Sequence, residues 1–283
     1  MADIPRRSID DLLLRYELEP TLEDVYVEGY FDKDVLTACF ESEASSKRIA
    51  YTIDSVDIPF SVLEKYGLTE GNKQRVIALC RELEAATHSS CKFLVDRDLD
   101  HWFDRLPEAR GLVWTRYCAL ELYFFNDALM RKFLINASRS KISDWHAFIT
   151  SFCSVLVFMY ALRLADRELN LSMIWTDPDK DLKLHSGVLV FDRDSYINRV
   201  LSKNNRLGVL ADVKVSVSRW YDRCVLEDYR LAIRGHDFVS LLAFVIKNGK
   251  GVPALGTVEA VERTFILLST ADLEVFGDLS ANA

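Results

Sequence analysis

The chain has 283 residues, which is enough for one large or two modest domains. Apolar residues make up 49% and charged residues 28%, a composition typical of a folded globular protein that excludes a disordered or collagen-like chain. The net charge of −8 excludes a protein that coats nucleic acid through an overall basic surface, whereas a local basic patch with bound cations stays open.

The six cysteines lie far apart in apolar stretches, without a CxxC motif or the spacing of zinc ligands. They favour reduced thiols and a cytoplasmic location over a disulfide framework. We expect no signal peptide, because the first residues become acidic before any apolar run. The longest uncharged stretch, 147–162, is shorter than the roughly 20 apolar residues of a membrane span, so it predicts a buried helix and no membrane association.

The first 125 residues alternate predicted helices and strands. Ser8 and Asp11 form a capping-box pattern before a leucine run, which predicts a short helix that ends near Pro20. Apolar stretches and helical spacing then predict strands and helices in turn: strand 25–27, a turn at Gly29, a helix from Asp32, strand 48–54, helix 72–87, strand 92–96 and strand 111–117. Because the strands are apolar throughout, they predict a mostly parallel sheet covered by helices on both faces.

The second half of the chain is predicted to be largely helical. Residues 126–170 and 206–247 have helical periodicity, with a weak strand at 187–191 between them. We therefore predict an α/β fold in which a mostly parallel sheet flanked by helices is followed by a largely helical region. Its expected parts are an N-terminal helix at 1–20, an α/β domain at 21–125 and a mainly helical domain at 126–283 packed on it.

Acidic side chains follow two of the predicted strands. Glu28 comes after strand 25–27, and Asp96 and Asp98 come at the end of strand 92–96. Ligands of an open parallel sheet bind beyond the carboxyl ends of its strands. Clustered carboxylates repel one another unless a cation lies among them, and oxygen ligands suit Mg²⁺. Solvated turn residues are the structural alternative, since Asp-x-Asp pairs are common in so acidic a chain.

Two sets of motifs resemble a known family. V-x-V-E-G-x-x-D at 25–32, an amphipathic helix and F-L-V-D-x-D at 93–98 together resemble the Toprim fold of topoisomerases, bacterial primases and the overcoming-lysogenization-defect nucleases. GNKQRVIAL at 71–79 and TRYCALELYFF at 115–125 resemble the stand-alone Toprim effectors of PARIS anti-phage systems. The resemblance covers roughly residues 20–130 and extends more loosely to RGHDFVSLL at 234–242.

This resemblance implies a metal-dependent nuclease that acts as a toxic effector in anti-phage defence, on RNA such as tRNA rather than on DNA. It implies that Glu28 is the general acid or base and that Asp96 and Asp98 are catalytic. It also implies a site for Mg²⁺, or Mn²⁺ in its place, held by Glu28, Asp96, Asp98 and Glu121. The implied partners are an ABC/SMC-like ATPase, a nucleic acid and a second copy of the chain. Tyr30 departs from the family pattern, which often has lysine after the Glu-Gly pair.

Five further side chains are candidates for substrate binding: Lys73, Arg97, Arg131, Lys132 and His236. Lys73 lies near a helix N-terminus, where anions bind, and Arg97 lies inside the Asp-x-Asp pair. Arg131 belongs to a run with four basic residues and no acid, whereas His236 lies at a predicted helix start. Each candidate also has a purely structural interpretation. Lys73 would be an ordinary surface lysine, and Arg97 would pair with the adjacent acids. The run with Arg131 and Lys132 would be a solvated helix face, and His236 would cap its helix.

Two other functions remain open from the sequence. One is a Toprim-like binding module that docks on an ATPase without cutting, which the tyrosine at position 30 favours. The other is a DNA-cleaving Toprim nuclease. The chain contains no GxxxxGK[ST] motif, so any ATP hydrolysis would belong to the partner.

Overall fold

The computed structural model describes residues 6–44, 46–86 and 90–281. The chain forms two compact units, of which the first comprises Met1–Tyr123 together with Arg263–Ala283 and the second comprises Phe124–Glu262. The sequence analysis expected a boundary after residue 125 and placed everything beyond it in one helical domain. The structure instead assigns Arg263–Ala283, and also the N-terminal helix, to the first unit.

The first unit alternates helices and strands as predicted. Its N-terminal helix begins with the expected capping box, since the Asp11 N–H donates to Ser8 Oγ and the Ser8 N–H donates to Asp11 Oδ2. Helix 72–87 is described as far as Ala86, and Thr87 lies outside the described residues. The elements are α1 (Ile9–Leu18), β1 (Asp24–Val27), α2 (Tyr30–Glu41), β2 (Ile49–Thr52), α3 (Phe60–Lys65), α4 (Asn72–Ala86), β3 (Lys92–Val95) and β4 (Leu112–Trp114).

The four strands form one all-parallel sheet in the order β2-β1-β3-β4. This confirms the predicted parallel α/β architecture. The chain leaves β1 towards β2 on one side and returns to β3 on the other side, so the direction of winding reverses between β1 and β3. Such a switch point opens a crevice at the carboxyl ends of the two strands.

The central strand is buried on both faces. Val25, Tyr26 and Val27 are each 0% exposed, which explains why β1 is apolar throughout rather than alternating. The Tyr26 ring stacks on the Phe93 ring of β3, with a distance of 5.6 Å between ring centroids. On α4, the expected apolar face is buried in the same core, including Val76.

Two C-terminal helices follow that the sequence analysis did not predict: α10 (Val258–Leu268), which crosses the boundary between the units, and α11 (Glu274–Ala281). Within the first unit, Tyr117 donates a hydrogen bond to Glu274 at 2.6 Å and Tyr123 donates one to Asp278 at 2.8 Å. The last helix thereby completes the α/β unit.

The second unit is mainly helical, as expected. The predicted strand at 187–191 exists, but its antiparallel partner, β5 (Leu182–His185), was missed. Within α6 (Trp145–Glu168), an apolar window is long enough to cross a membrane by length and composition, and 61% of that window is buried inside the structure, as in a core helix. The elements are α5 (Asp127–Arg131), a π-helical turn (Lys132–Ala137), α6 (Trp145–Glu168), β5 (Leu182–His185), β6 (Val188–Phe191), α7 (Arg193–Lys203), α8 (Leu210–Cys224) and α9 (Gly235–Asn248).

Candidate functional site

Glu28 and Asp96 meet at the switch point of the sheet. Glu28 directly follows β1 and Asp96 directly follows β3, and the register aligns Tyr26 with Phe93. This alignment brings the two strand ends side by side, where Glu28 Oε1 accepts the backbone N–H of Asp96 at 3.0 Å. We call the group of acidic side chains at this point, Glu28, Asp32, Asp96 and Glu121, the carboxylate cluster.

Asp32 is a member of the carboxylate cluster to which the sequence analysis assigned no role. It lies in the first turn of α2, where its Oδ2 accepts the Gly29 N–H at 3.1 Å. Burial, followed by the charges of Glu121 and Glu28, raises the pKa of Asp32 well above its ordinary value. Its position as the final aspartate of V-x-V-E-G-x-x-D was the signal in the sequence.

Asp96 occupies the centre of the cluster. Its Oδ1 accepts the backbone N–H of Leu120 at 3.1 Å, which draws in the segment that carries Glu121. Burial raises the pKa of Asp96 well above its ordinary value, and the charges of Asp32, Glu28 and Glu121 add to the effect. The structure therefore brings together three of the four residues expected around a metal, namely Glu28, Asp96 and Glu121.

The remaining expected ligand, Asp98, is held by a lysine. Lys73 Nζ lies 2.5 Å from Asp98 Oδ2 and 3.0 Å from Asp100 Oδ2, and the lysine side chain is only 13% exposed. Burial favours the neutral amine of Lys73, but the charges of Asp98 and Asp100 outweigh burial and raise its pKa. The backbone of Asp98 is left-handed, with φ of 45°, and its N–H donates to Cys118 O at 2.8 Å.

The pKa of Glu28 is raised towards neutral pH. Burial raises its pKa to about 7, although the Asp96 N–H and the Lys73 ammonium favour the charged form. A group with such a pKa is partly protonated at neutral pH, as a general acid or base should be. The Asn72 side chain supports this position from α4, because its Nδ2 donates to the Glu28 carbonyl at 2.8 Å.

The donor chemistry of the carboxylate cluster fits a hard divalent cation. All its side-chain donors are carboxylate oxygens, the ligand type of Mg²⁺ and Mn²⁺. Burial and, after it, nearby like charges raise the pKa values of Glu28, Asp32 and Asp96, and a cation among these carboxylates would offset the charge repulsion. Within residues 6–44, 46–86 and 90–281, no three His, Cys, Asp or Glu side chains are placed to hold one ion. Binding would therefore require deprotonation and reorientation of these carboxylates.

Arg97 forms hydrogen bonds to Thr115 at the end of β4. Its N–H donates to Thr115 Oγ1 at 3.1 Å and its Nε donates to Thr115 O at 2.5 Å. These bonds tie the loop after β3 to the end of β4, so the guanidinium positions the loop that bears Asp96 and Asp98. Tyr30 begins α2 and is 67% exposed.

The other predicted substrate-binding residues belong to the second unit, whereas every member of the carboxylate cluster belongs to the first. Arg131 pairs with Asp127 at 2.8 Å and lies over the Trp145 ring. Lys132 is exposed at the start of the π-helical turn, and His236 is exposed in the first turn of α9.

Sequence reasoning did not assign roles to Asp32, Asn72 or Asp100. Asn72 and Asp100 flank residues that were singled out, namely Lys73 and the Asp-x-Asp pair. Their contacts with Glu28 and Lys73 join segments 44 and 27 residues apart, and local patterns do not reveal such pairings.

No protein-family model matches the chain, and no curated protein matches it in sequence. The function therefore has to be inferred from the residues of the site and their geometry.

Proposed function

We propose that the first unit is a metal-dependent, Toprim-type nuclease that hydrolyses phosphodiester bonds, in RNA such as tRNA rather than in DNA. The observation that carries this proposal is the convergence of Glu28, Asp32 and Asp96 at the sheet switch point with raised pKa values. Half-buried carboxylates that lie close together destabilise a fold when charged, so their clustering at the carboxyl ends of β1 and β3 favours a functional origin.

In this proposal Glu28 moves the proton of the attacking or the leaving oxygen, because its pKa lies near neutral pH. Asp96, Asp32 and Glu121 would hold the metal ion. When bound, Mg²⁺ would polarise a phosphoryl oxygen and neutralise developing charge. The Asp96 N–H fixes the orientation of Glu28, and the Leu120 N–H fixes that of Asp96.

Lys73 supplies the positive charge that the tyrosine at position 30 cannot. Its ammonium lies beside Asp98 and Asp100 near the start of α4, where the helix dipole also favours an anion. In the proposed reaction, the scissile phosphate replaces these two carboxylates as the partner of the Lys73 ammonium. We assign Lys73 to phosphate binding and Arg97 to positioning of the loop.

The biological role is proposed from the resemblance of the motifs. We propose a cytoplasmic toxic effector of bacterial anti-phage defence that an ABC/SMC-like ATPase holds until infection and that pairs with a second copy once released. The motifs at 71–79 and 115–125 support this role. They include two residues of the site, Lys73 and Glu121.

Cleavage by the purified full-length chain tests the activity. With Mg²⁺ present, we expect the wild type to cut labelled tRNA and Glu28→Gln to cut it at least about 100-fold more slowly, the usual contribution of general acid–base catalysis. The matched control is Glu64→Gln, because Glu64 is an exposed glutamate on α3 of the same unit. Equal cleavage by the wild type and Glu28→Gln would exclude the role given to Glu28.

Sequencing of nucleic acid ends in cells distinguishes the substrates. After induction of the wild type and of Glu28→Gln side by side, we expect new RNA ends with the wild type only. New DNA ends with intact RNA would instead support the DNA-cleaving alternative.

A non-catalytic module that docks on the ATPase is the second candidate. The observation that favours it is that, among the described residues, no three potential ligands are arranged around one ion. This candidate predicts no cleavage of RNA or DNA with Mg²⁺ or Mn²⁺, together with equal binding of the ATPase by the wild type and Glu28→Gln.

A further inference from the structure

Lys73 is a cation that the fold keeps among acidic side chains. Its Nζ atom lies 2.5 Å from Asp98 Oδ2 and 3.0 Å from Asp100 Oδ2, and only 13% of the lysine side chain is exposed. Lysine side chains usually keep their ammonium groups in water, because burial of a charge is unfavourable. The two carboxylates offset this desolvation. The structure thus holds a positive charge at the loop that follows β3.

The backbone that carries Lys73 is fixed at the start of α4. The preceding residue, Asn72, donates from Nδ2 to the Glu28 carbonyl at 2.8 Å, which ties this end of the helix to the end of β1. Arg75 donates in turn to Asn72 Oδ1 at 3.1 Å. The Lys73 ammonium also lies 5.9 Å from the centre of the Trp114 ring of β4. Because these contacts hold the lysine, a change of partner has to come from the carboxylates.

The two acidic partners of Lys73 differ in their exposure. The side chain of Asp98 is 44% exposed, whereas that of Asp100 is only 18% exposed. The Asp98 carboxylate can therefore turn towards another cation without opening the fold, while the more buried Asp100 stays beside the ammonium. Asp98 is thus the partner that can be exchanged.

Asp98 and Lys73 both act on the carboxylate cluster. After burial, which is the largest cause, the charge of Asp98 is among those that raise the pKa values of Glu28, Asp32 and Asp96. The Lys73 ammonium instead favours the charged form of Glu28 and so opposes the rise of its pKa. Such effects weaken with distance, so both groups lie close to the cluster.

We propose that Lys73 is a built-in counter-ion of Asp98 that a divalent cation has to displace. This inference rests on the metal site of the proposed nuclease and adds a form of regulation to it. While the ammonium pairs with Asp98, this carboxylate is not available as a metal ligand, so Lys73 lowers the metal affinity of the protein. Once Asp98 turns to the metal, Asp100 keeps the ammonium at the start of α4, where it binds the substrate phosphate.

Calorimetric titration of the full chain with Mn²⁺ tests this proposal in the absence of nucleic acid. We expect Lys73→Met to bind Mn²⁺ at least about tenfold more tightly than the wild type, a gain of about 1.4 kcal/mol, because Asp98 no longer pairs with the ammonium. Lys65→Met is the matched control. It removes the same charge from the same unit, where Lys65 pairs at 2.6 Å with Glu82, which does not belong to the carboxylate cluster. Its Mn²⁺ affinity should equal that of the wild type.

A double-mutant cycle separates the release of Asp98 from a general loss of positive charge near the metal. Asp98→Asn removes the carboxylate that the ammonium engages. In this background, the gain in Mn²⁺ affinity caused by Lys73→Met should be at least about fivefold smaller than in the wild type. A general effect of charge would give the same gain in both backgrounds.

A second variant at the same position guards against a failure to fold. Lys73→Gln is uncharged, but its amide can still donate a hydrogen bond to Asp100. We expect it to show the same gain in Mn²⁺ affinity as Lys73→Met. Thermal unfolding with and without Mn²⁺ shows that each variant is folded, and Mn²⁺ should raise the melting temperature of both Lys73 variants more than that of the wild type.

Two results would overturn the proposal on its own: Mn²⁺ affinities of both Lys73 variants that do not exceed that of the wild type, or an equal gain in the Asp98→Asn background. The nuclease proposal would stand, because these titrations measure no cleavage. Absence of Mn²⁺ binding from the wild type and all variants would overturn both. If the affinities follow the cycle but the purified chain cuts neither RNA nor DNA, the nuclease proposal fails and the role of Lys73 at a metal site stands.

Discussion

Glu28, Asp32 and Asp96 are placed where ordinary surface carboxylates would not be. Each of the three carboxylates accepts a hydrogen bond from a backbone N–H. Each also has a raised pKa, because burial and like charges disfavour its ionised form. The raised pKa values predict that these side chains take up protons at a higher pH than surface carboxylates do. In the proposed site, a bound cation would compete with those protons.

The raised pKa of Glu28 predicts a pH-dependent stability. The pKa is 4.5 in an ordinary environment and about 7 in the fold, so the folded chain binds this proton more tightly. Its contribution is present below pH 4.5 and is lost as the pH rises through about 7. Glu28→Gln cannot ionise, so in EDTA we expect it to be more stable than the wild type at pH 8, by about 3 kcal/mol, and equally stable at pH 4. Urea unfolding measures both.

Magnesium should stabilise the fold at the pH where the proton no longer does. At pH 8 we expect added Mg²⁺ to stabilise the wild type by about 2.7 kcal/mol at 100 times its Kd, and Glu28→Gln by much less. Glu64→Gln is the control for both experiments and should behave as the wild type. If the wild type and Glu28→Gln had equal free energies of unfolding at both pH values, ionisation of Glu28 would not destabilise the fold.

At the scale of elements, the site exists because β1 and β3 are neighbours. The order β2-β1-β3-β4 places their carboxyl ends side by side, and the next strand, β4, leads to Thr115 and onward to Glu121. The position of β4 depends on Gly111, which precedes it with φ of +80° and whose carbonyl accepts the Phe93 N–H at 2.9 Å.

Gly111→Ala should therefore destabilise the first unit. A Cβ at this position would lie 2.7 Å from the Cys91 carbonyl oxygen, and the left-handed backbone is itself unfavourable for alanine. We expect a loss of about 2 to 4 kcal/mol in the free energy of unfolding, measured by denaturant. Gly277→Ala is the control in the same unit, because nothing lies within 4 Å of its Cβ and alanine favours helix α11. A similar loss in both variants would argue against the close contact.

At the scale of the whole molecule, the chain leaves the first unit at residue 123 and returns to it at residue 263. The returning segment is bound by polar contacts, since Asp278 pairs with Arg116 and accepts a hydrogen bond from Tyr123. The Phe276 ring packs edge-on against Phe40 of α2, with 6.1 Å between ring centroids. The α/β unit is therefore assembled from both ends of the sequence.

Asp278→Ala should reveal this assembly. It removes the acceptor of two side chains, one of them charged, so we expect the first unit to lose about 1 to 3 kcal/mol of stability. Thermal unfolding would measure the loss. Asp272→Ala, at an exposed aspartate of the same segment, should change the stability by less than about 0.5 kcal/mol. If Asp278→Ala left the stability of the first unit unchanged, the polar contacts of α11 would contribute little to that unit.

Local patterns were sufficient where a single segment decides its own structure. The apolar run at 25–27, the helical spacing at 72–87 and the capping box at Ser8 each predict an element that the structure contains in its described residues. The strand β5 was missed because its sequence, LKLH, is short and becomes a strand by pairing with β6. The return of Arg263–Ala283 to the first unit was also missed, since helical periodicity does not state which core a helix covers.

For the site, the sequence determined which carboxylates are candidates, because a parallel sheet brings the carboxyl ends of its strands to one edge. It thereby selected Glu28, Asp96 and Asp98, and the resemblance added Glu121. Only the tertiary structure decided that Glu28 binds the Asp96 N–H, that Asp32 joins them and that Lys73 holds Asp98. The physical reason is distance along the chain: these contacts join segments 25 to 68 residues apart, and strand order with register, rather than local propensity, brings them together.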